Sequence, residues 1–372
     1  MFQIVFGLLG GLAIFVYALQ SMGAGMQKVA GKRAHRVLEA LTSVPVVGVL
    51  VGALVTVVVQ SSTLVTVMVV GFVNAAMMNL KQAVSVIMGA NIGTTLTAQL
   101  AAFRITEFWA LLAAVGFIAY FVFKRKSIKN TGYIIFTIGL LLLGIGLMSQ
   151  AMAPLRFNPV FQNMMVTLSV NPLLALLAGF LFTALIQSST AATVLIVAMA
   201  TQDLISLQAA LPLILGTNIG TCVTAVLASL GTTLSARRAA AAHVLFNTMG
   251  ALIFLIFLAQ FEMLIVAISP AGDVARQAAN AHMLFSVIST LIFLPLITPF
   301  VKLVVKVVPG KETASVNGPI YLDWHMVETP AVAINLAQQE LVRMAEFAGH
   351  NVQLAMEGFL ERDEKKLALM RD

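Results

Sequence analysis

A shift of 127 residues lays segment 44–103 of this 372-residue chain on segment 171–230 without a gap. Pro45 falls on Pro172, Gly52 on Gly179 and Thr56 on Thr183. Gln60-Ser61-Ser62-Thr63 falls on Gln187-Ser188-Ser189-Thr190, and Thr66 on Thr193. Further on, Gly89-Ala90-Asn91-Ile92-Gly93-Thr94 meets Gly216-Thr217-Asn218-Ile219-Gly220-Thr221, and Thr97 meets Thr224. A weaker echo at a shift of 126 pairs Met22 with Met148 and Gly25-Met26 with Ala151-Met152, so the duplicated unit includes the span ahead of each motif. A chain built this way folds as copies of one unit that complete a shared core.

The medium of that core is set by composition. With 60% hydrophobic and 10% charged residues and a mean hydropathy of +0.97, the chain belongs in a bilayer. The net charge of +7 sits in short clusters between apolar runs, which is the positive-inside bias of a polytopic protein rather than a nucleic-acid surface. Crossing the hydrocarbon takes about 20 apolar residues, and spans are expected near 4–22, 81–103, 107–123, 131–150, 239–259 and 280–300. A seventh, near 205–230, is amphipathic and interrupted by Gly216, Asn218 and Gly220. The first span has no basic leader and no small-residue cleavage site, so it reads as retained. Segments 44–73 and 171–200 carry Gln-Ser-Ser-Thr at their centres. Such a pattern predicts re-entrant hairpins of two half-helices, tolerated where the broken backbone is buried in protein. Cys222 is the only cysteine, which excludes an intramolecular disulfide and a Cys-rich metal site.

Three expected spans lie between the first hairpin and its copy, and an odd number of crossings inverts the second copy. Lys28, Lys32, Arg33 and Arg36, then Lys124, Arg125, Lys126 and Lys129, then Arg237 and Arg238, then Lys302, Lys306 and Lys311 fall on one side; only Arg104, Arg156 and Arg276 fall on the other. The first side is then cytoplasmic, with the N-terminus outside, hairpin 44–73 opening inward and hairpin 171–200 opening outward. The expected fold class is an all-α polytopic membrane protein with two inverted-topology repeats, each holding a broken re-entrant helical hairpin, plus a short cytoplasmic helical tail. The repeats are residues 1–130 and 131–309, and the tail is 310–372. In the tail Val332, Leu336, Leu341, Met344, Ala348 and Val352 recur at near-helical spacing, a face that expects partner helices. Association into a homo-oligomer within the lipid is compatible with this plan.

Paired inverted repeats with interrupted segments point to a secondary transporter whose site lies near the midplane. Neither carboxylates nor Lys and Arg sit mid-span, so no intramembrane carboxylate relay is evident. Half-helix N-termini suit an anion, and Ser61, Ser62, Ser188 and Ser189 add hydroxyl donors. Freed carbonyls, Ser and Thr hydroxyls and Gln oxygens suit a hard cation such as sodium. Sharing one cavity relieves the large cost of a lone anion there, a physical reason for coupling. Asn91 and Asn218 are expected to face the hairpin tips, in helices locally opened by the flanking glycines, with Thr94 and Thr221 on the same face. A lone Gln-Ser-Ser-Thr in an apolar helix is more often a set of back-bonded hydroxyls or helix glue than a site, and it is the duplication, at identical distance from two Gly-x-Asn-Ile-Gly-Thr copies, that reverses this. His243 and His282 read as satisfied packing residues, Asn247 as a residue able to reach the cavity, and Cys222, which stands opposite Thr95, as inert and buried. Methionines and phenylalanines are lipid-facing or packing bulk. Three other classes fit less well. An anion channel needs no duplicated hairpins; a serine hydrolase using Ser61 or Ser188 with His243 or His282 lacks a Gly-x-Ser-x-Gly elbow; and a sensor signalling through the tail needs no symmetric site.

These motifs resemble the type II sodium-dependent phosphate cotransporter family, whose hallmark is Gln-Ser-Ser-(Ser/Thr) in each of two inverted repeats. The resemblance covers residues 4–300 and includes the His-x-x-Phe-Asn pattern at His243, Phe246 and Asn247; in a second copy at His282 and Phe285, Ser286 stands where Asn is expected. It implies phosphate moved inward together with sodium, with no other cofactor and no enzymatic activity. Ser61, Ser62, Thr63, Ser188, Ser189, Thr190, Asn91 and Asn218 are then the phosphate shell. Gln60, Gln187, Thr66, Thr193, Thr94 and Thr221 are the sodium ligands, and Asn247 is secondary. Another oxyanion, sulfate or arsenate, satisfies the same hydroxyls. Residues 322–372 look like the start of a PhoU-type helical bundle, which implies a prokaryotic plasma-membrane protein and a phosphate-regulatory partner for the tail.

Overall fold

The computed structural model describes residues 2–30, 44–75, 77–103, 106–310, 321–322 and 330–361. Among them there is no strand. Helix α1 (Phe2–Ala30) is followed by α2 (Pro45–Val59) and α3 (Ser62–Asn74), which are parted by Gln60 and Ser61, and then by α4 (Leu80–Ala102), α5 (Trp109–Val122) and α6 (Lys126–Met152). The second half contains α7 (Pro159–Val170), α8 (Pro172–Ile186) and α9 (Ser189–Thr201), α10 (Leu207–Gly220) and α11 (Cys222–Ala228). The chain continues through α12 (Leu234–Ile256), α13 (Leu258–Ile268), α14 (Val274–Phe293), α15 (Ile297–Val307) and α16 (Pro330–Glu361). Local chemistry explains the starts. Pro45 and Pro172 occupy the first helical position of α2 and α8, where a missing N–H leaves nothing unpaired. Asn79 and Gln82 form a reciprocal capping box at α4.

Among the described residues five helices are long and apolar enough to cross a membrane, or up to seven counting two bent pairs. Packing between α1 and α6 gives their relative direction. A Cβ at Gly7 would meet Ala151, at Gly11 Met148, and at Gly25 Ile134. Numbers rise along one helix as they fall along the other, so the two are antiparallel. Because α6 is the repeat counterpart of α1, an antiparallel pair of counterparts makes the two copies inverted, as the parity of crossings predicts.

A second contact pattern makes each Gln-Ser-Ser-Thr element re-entrant. A Cβ at Gly52 would collide with the Val86 carbonyl, and one at Gly89 with that of Val49; in the second copy Gly179 meets Leu213 O and Gly216 meets Leu176 O. Glycines thus let α2 lie backbone to backbone on α4, and α8 on α10, in the small-residue packing of membrane helices. Over the full length of each seam numbers rise together, from Gly48 against Ser85 to Thr56 against Gly93 and from Gly179 against Leu213 to Thr183 against Gly220, so each pair is parallel. The short link 75–79 starts α4 beside the start of α2, and α3 must therefore return the chain to the side from which α2 entered. The same holds for α9.

Several boundaries depart from the sequence expectation. The span expected at 280–300 is α14, which begins at Val274 and ends at Phe293, and α15 then turns away by 91°. In α15 Ile297, Phe300 and Val304 are buried while Lys302 and Lys306 are exposed, the division of an interfacial helix. Helix α7, bent 112° from α8, and helix α13 were not expected. The glycines around Asn91 do not open α4, which is continuous; those around Asn218 do, where α10 gives way to α11 at Thr221 and Pro212 removes an N–H within α10. In α16 Leu336 is buried in the cluster around α3 and α12, and Glu340 accepts from the Tyr321 N–H. Leu341, Met344 and Val352 stay exposed. Lys32, Arg33, Arg36, Arg104, Lys311 and tail residues 323–329 and 362–372 lie outside the described residues.

Replacing Gly89 or Gly216 with Leu forces two backbones apart, and overpacking of this kind costs about 2 kcal/mol or more. Thermal unfolding of the purified variants should show a clear fall in midpoint, whereas Gly10→Leu, at a position with no atom near its Cβ, should leave the midpoint close to that of the parent.

A candidate substrate cavity between two broken helices

Each break is made by a glutamine in the left-handed region. Gln60 has φ 59° and ψ 22°, and Gln187 has φ 58° and ψ 27°. Few non-glycine residues adopt that conformation, which costs about 1–2 kcal/mol. Its N–H closes the preceding half-helix, 2.7 Å from Thr56 O and from Thr183 O respectively. The next residue is extended and starts the following half-helix: Ser61 Oγ accepts from Leu64 N at 3.1 Å, and Ser188 Oγ from Ala191 N at 3.2 Å. A left-handed residue followed by an extended N-cap gathers free carbonyls of one half-helix beside free N–H groups of the next.

Both breaks line one cavity of ≈ 670 Å³, which takes in Gln60, Ser61, Ser62 and Thr63 from one repeat and Gln187, Ser188, Ser189 and Thr190 from the other. Residues 127 apart in sequence are thereby brought face to face. Among the described residues no lining side chain carries a charge. The polar groups are therefore serine and threonine hydroxyls, the glutamine amides and the N-terminal turns of α3 and α9. Ser61 and Ser188 accept from their own helices yet retain an O–H to donate. This constellation can surround an oxyanion from two opposed helix N-termini.

The remaining predicted residues lie outside the lining. Asn91 donates to Asn247 Oδ1 at 2.9 Å, joining α4 to α12, and Asn247 donates in turn to Cys222 Sγ at 3.3 Å and to His243 O at 3.2 Å. Asn218 donates to Ile214 O within its own helix. Thr94 and Thr221 donate to Ala90 O and Thr217 O. Thr66 and Thr193 are buried with no hydrogen-bond partner. Gln60 is partly committed: its amide donates to Val57 O and its Oε1 accepts from Thr97 at 2.7 Å. Cys222 is buried and free, as expected. His243 and His282 are buried, but neither ring nitrogen of either has a partner, so they are packing residues without being satisfied ones.

Sequence reasoning missed the third wall. Val16, Leu19, Gln20 and Gln27 of α1 complete the cavity, and α1 is pressed so close to the first break that a Cβ at Gly23 would lie 2.6 Å from Val59 O. Two glutamines seven apart in an apolar span share a helix face, a signal that was available. The repeat comparison could not find them, because the counterpart positions hold Gly146 and Ala153.

Known proteins bear on this geometry. A Bacillus subtilis protein named "Uncharacterized protein YqeW" is 30% identical over 260 residues, 70% of this chain and 84% of that one. The Escherichia coli "Putative inorganic phosphate export protein YjbB" is 31% identical over 250 residues, 67% of this chain but 46% of its own length. The human "Sodium-dependent phosphate transport protein 2B" is 41% identical over 92 residues, 24% of this chain and 13% of its own. No solved structure matches. The pattern of one family covers residues 14–150 and 152–292, which is nearly all of the membrane part and both copies of the cavity-lining motif. The chain belongs to the Na+/Pi-cotransporter family.

Proposed function

We propose that this multi-pass membrane protein carries inorganic phosphate across the plasma membrane as a sodium-coupled symporter, holding anion and cation together between the two re-entrant hairpins. The observation that carries the reading is that both Gln-Ser-Ser-Thr tetrads, from oppositely oriented repeats, line one cavity. Phosphate oxygens accept from Ser61, Ser62, Thr63, Ser188, Ser189 and Thr190 and from the first-turn N–H groups of α3 and α9. Because the described residues of the lining supply no formal positive charge, a bound phosphate dianion gains from a cation beside it. Sodium, coordinated by hydroxyl, amide and carbonyl oxygens, supplies that charge; Gln60, Gln187, Thr66, Thr193, Thr94 and Thr221 are its proposed ligands. Asn91 and Asn218 support the site from the adjoining helices, and Asn247 holds Asn91.

Inversion gives the cycle its form. If one hairpin seals the cavity from the cytoplasm and the other from outside, exchanging their roles exposes one site to each side in turn. A carrier of this kind is reversible, and the gradients of sodium and phosphate set the direction of net flux. The N-terminus is placed outside and the tail in the cytoplasm, where α16 is offered to a regulatory partner; membrane repeats 1–130 and 131–309 are the transporting units.

Proteoliposomes holding the purified chain should accumulate radiolabelled phosphate under an inward sodium gradient and not under an equal potassium gradient. Ser61→Ala and Ser188→Ala should each lower uptake at least tenfold, since either half of a two-fold site is indispensable. Uptake of sulfate or arsenate in place of phosphate, with the same dependence on both serines, would redirect the substrate assignment. Gln187→Gly removes the backbone cost of the left-handed residue and should raise thermal stability by about 1 kcal/mol. The same variant should lower transport; equal transport would remove the Gln187 side chain from the proposed site.

A further inference from the structure

Four buried threonines stand apart among the described residues, because their hydroxyls are fully enclosed and have no partner. Thr94, Thr137, Thr217, Thr221 and Thr290 each donate to a carbonyl three or four residues back, the usual way a helical hydroxyl is satisfied in an apolar medium. Thr56, Thr66, Thr183 and Thr193 are at most 1% exposed and their hydroxyls have no partner. These four are two repeat-related pairs. Thr56 and Thr183 lie four residues before the left-handed glutamine; Thr66 and Thr193 lie six residues after it. A buried unpaired hydroxyl costs about 1–3 kcal/mol, and four of them at equivalent positions around two breaks is not the scatter that packing accidents produce.

Thr56 and Thr183 are also clamped. A Cβ at Gly93 would come within 2.7 Å of Thr56 Cβ and 3.2 Å of its Cγ2, and one at Gly220 within 2.8 Å of Thr183 Cβ. The second glycine of each Gly-x-Asn-Ile-Gly-Thr segment is therefore the seat of a threonine from the facing half-helix. That carbon-side contact fixes the side chain, and the carbonyl of the same residue closes the helix end, accepting from the glutamine N–H at 2.7 Å. The hydroxyl thus stands in the last turn of a half-helix, at the negative end of its dipole.

We propose that Thr56 and Thr183 are cation-liganding residues, one in each repeat, so that the protein binds a monovalent cation at two equivalent positions, beside the helix C-terminal ends at the two breaks. Neutral oxygen donors at a helix C-terminus suit an alkali cation; the carboxylates that Ca2+ or Mg2+ require are missing, since no acidic cluster occurs among the described residues. The consequence is a sodium dependence of at least second order, with the two repeats contributing alike. Because this inference rests on the sodium-coupled reading proposed above, the experiment is arranged to separate the two.

Uptake of phosphate and the thermal midpoint of the purified protein are measured against sodium concentration, with choline holding ionic strength constant, for the parent and for Thr56→Val, Thr183→Val, Thr56→Ser and Thr183→Ser. Valine keeps the shape and removes the hydroxyl; serine keeps the hydroxyl. The expected result is a parent Hill coefficient near two, and valine variants whose half-saturating sodium rises about tenfold or more with the Hill coefficient falling toward one. The serine variants should retain sodium affinity close to the parent, and the sodium-induced rise in midpoint should shrink in the valine variants. Valine variants that are more stable without sodium and keep the parent's sodium dependence would overturn the proposal while leaving sodium coupling intact. A parent with neither sodium-driven uptake nor sodium-induced stabilisation would overturn the coupling itself, and this inference with it.

Discussion

A helix break inside a bilayer is tolerable only where protein, not lipid, meets the freed N–H and C=O groups. Everything distinctive in this molecule follows from satisfying that condition twice. The glycine seams that lay α2 on α4 and α8 on α10 bring an unbroken or nearly unbroken helix flush against each broken one. They also pin the first arm of each hairpin, so that its end, with the strained glutamine, is held at a defined depth. Where a seam ends, a cavity begins, and its polar lining is made of the groups that the break released together with the hydroxyls beside them.

Inversion then converts two local solutions into one site. Neither hairpin alone encloses anything; each offers the N-terminal turn of one half-helix and a few hydroxyls. Set against its upside-down copy, the same four residues form the opposite wall. Among the described residues the lining carries no charge, which separates this design from transporters that carry an intramembrane carboxylate. Asymmetry enters through α1, whose Gln20 and Gln27 wall the cavity while the counterpart helix α6 offers nothing equivalent.

Around this centre the second layer is unevenly satisfied. Asn91, Asn247, Cys222 and His243 form a connected chain that ties α4, α12 and α11 together. On the other side Ser286 takes the place of Asn247, and Ser286 and His282 have no partners. The α14 side is braced differently, by Gln99 of α4 donating to Asn280, which donates to Ser269, and by Phe254, Phe261 and Phe285 meeting edge to face.

Much of this was legible without coordinates. Repetition at a fixed shift, Gln-Ser-Ser-Thr in the middle of apolar segments and the parity of crossings are one-dimensional properties, and they determined the duplicated, inverted, re-entrant plan and the eight residues of the cavity wall. Individual helix limits were less legible because hydropathy reports average apolarity, not direction: nothing in 280–300 marks the 91° turn after α14, and nothing in 107–123 marks a helix of 14 residues. Which side chains near a motif enter the cavity was not legible at all. Asn91 and Asn218 sit in motifs as strong as the tetrads, yet Asn91 bonds to Asn247 of α12 and Asn218 to its own helix, because a rotation of about 100° per residue decides whether an amide faces a cavity or a neighbour, and only packing sets that rotation. The sequence by itself determined that two like units had to meet; the tertiary structure alone decided which hydroxyls were spent on the backbone, which were left for a ligand, and that α1 supplied the third wall.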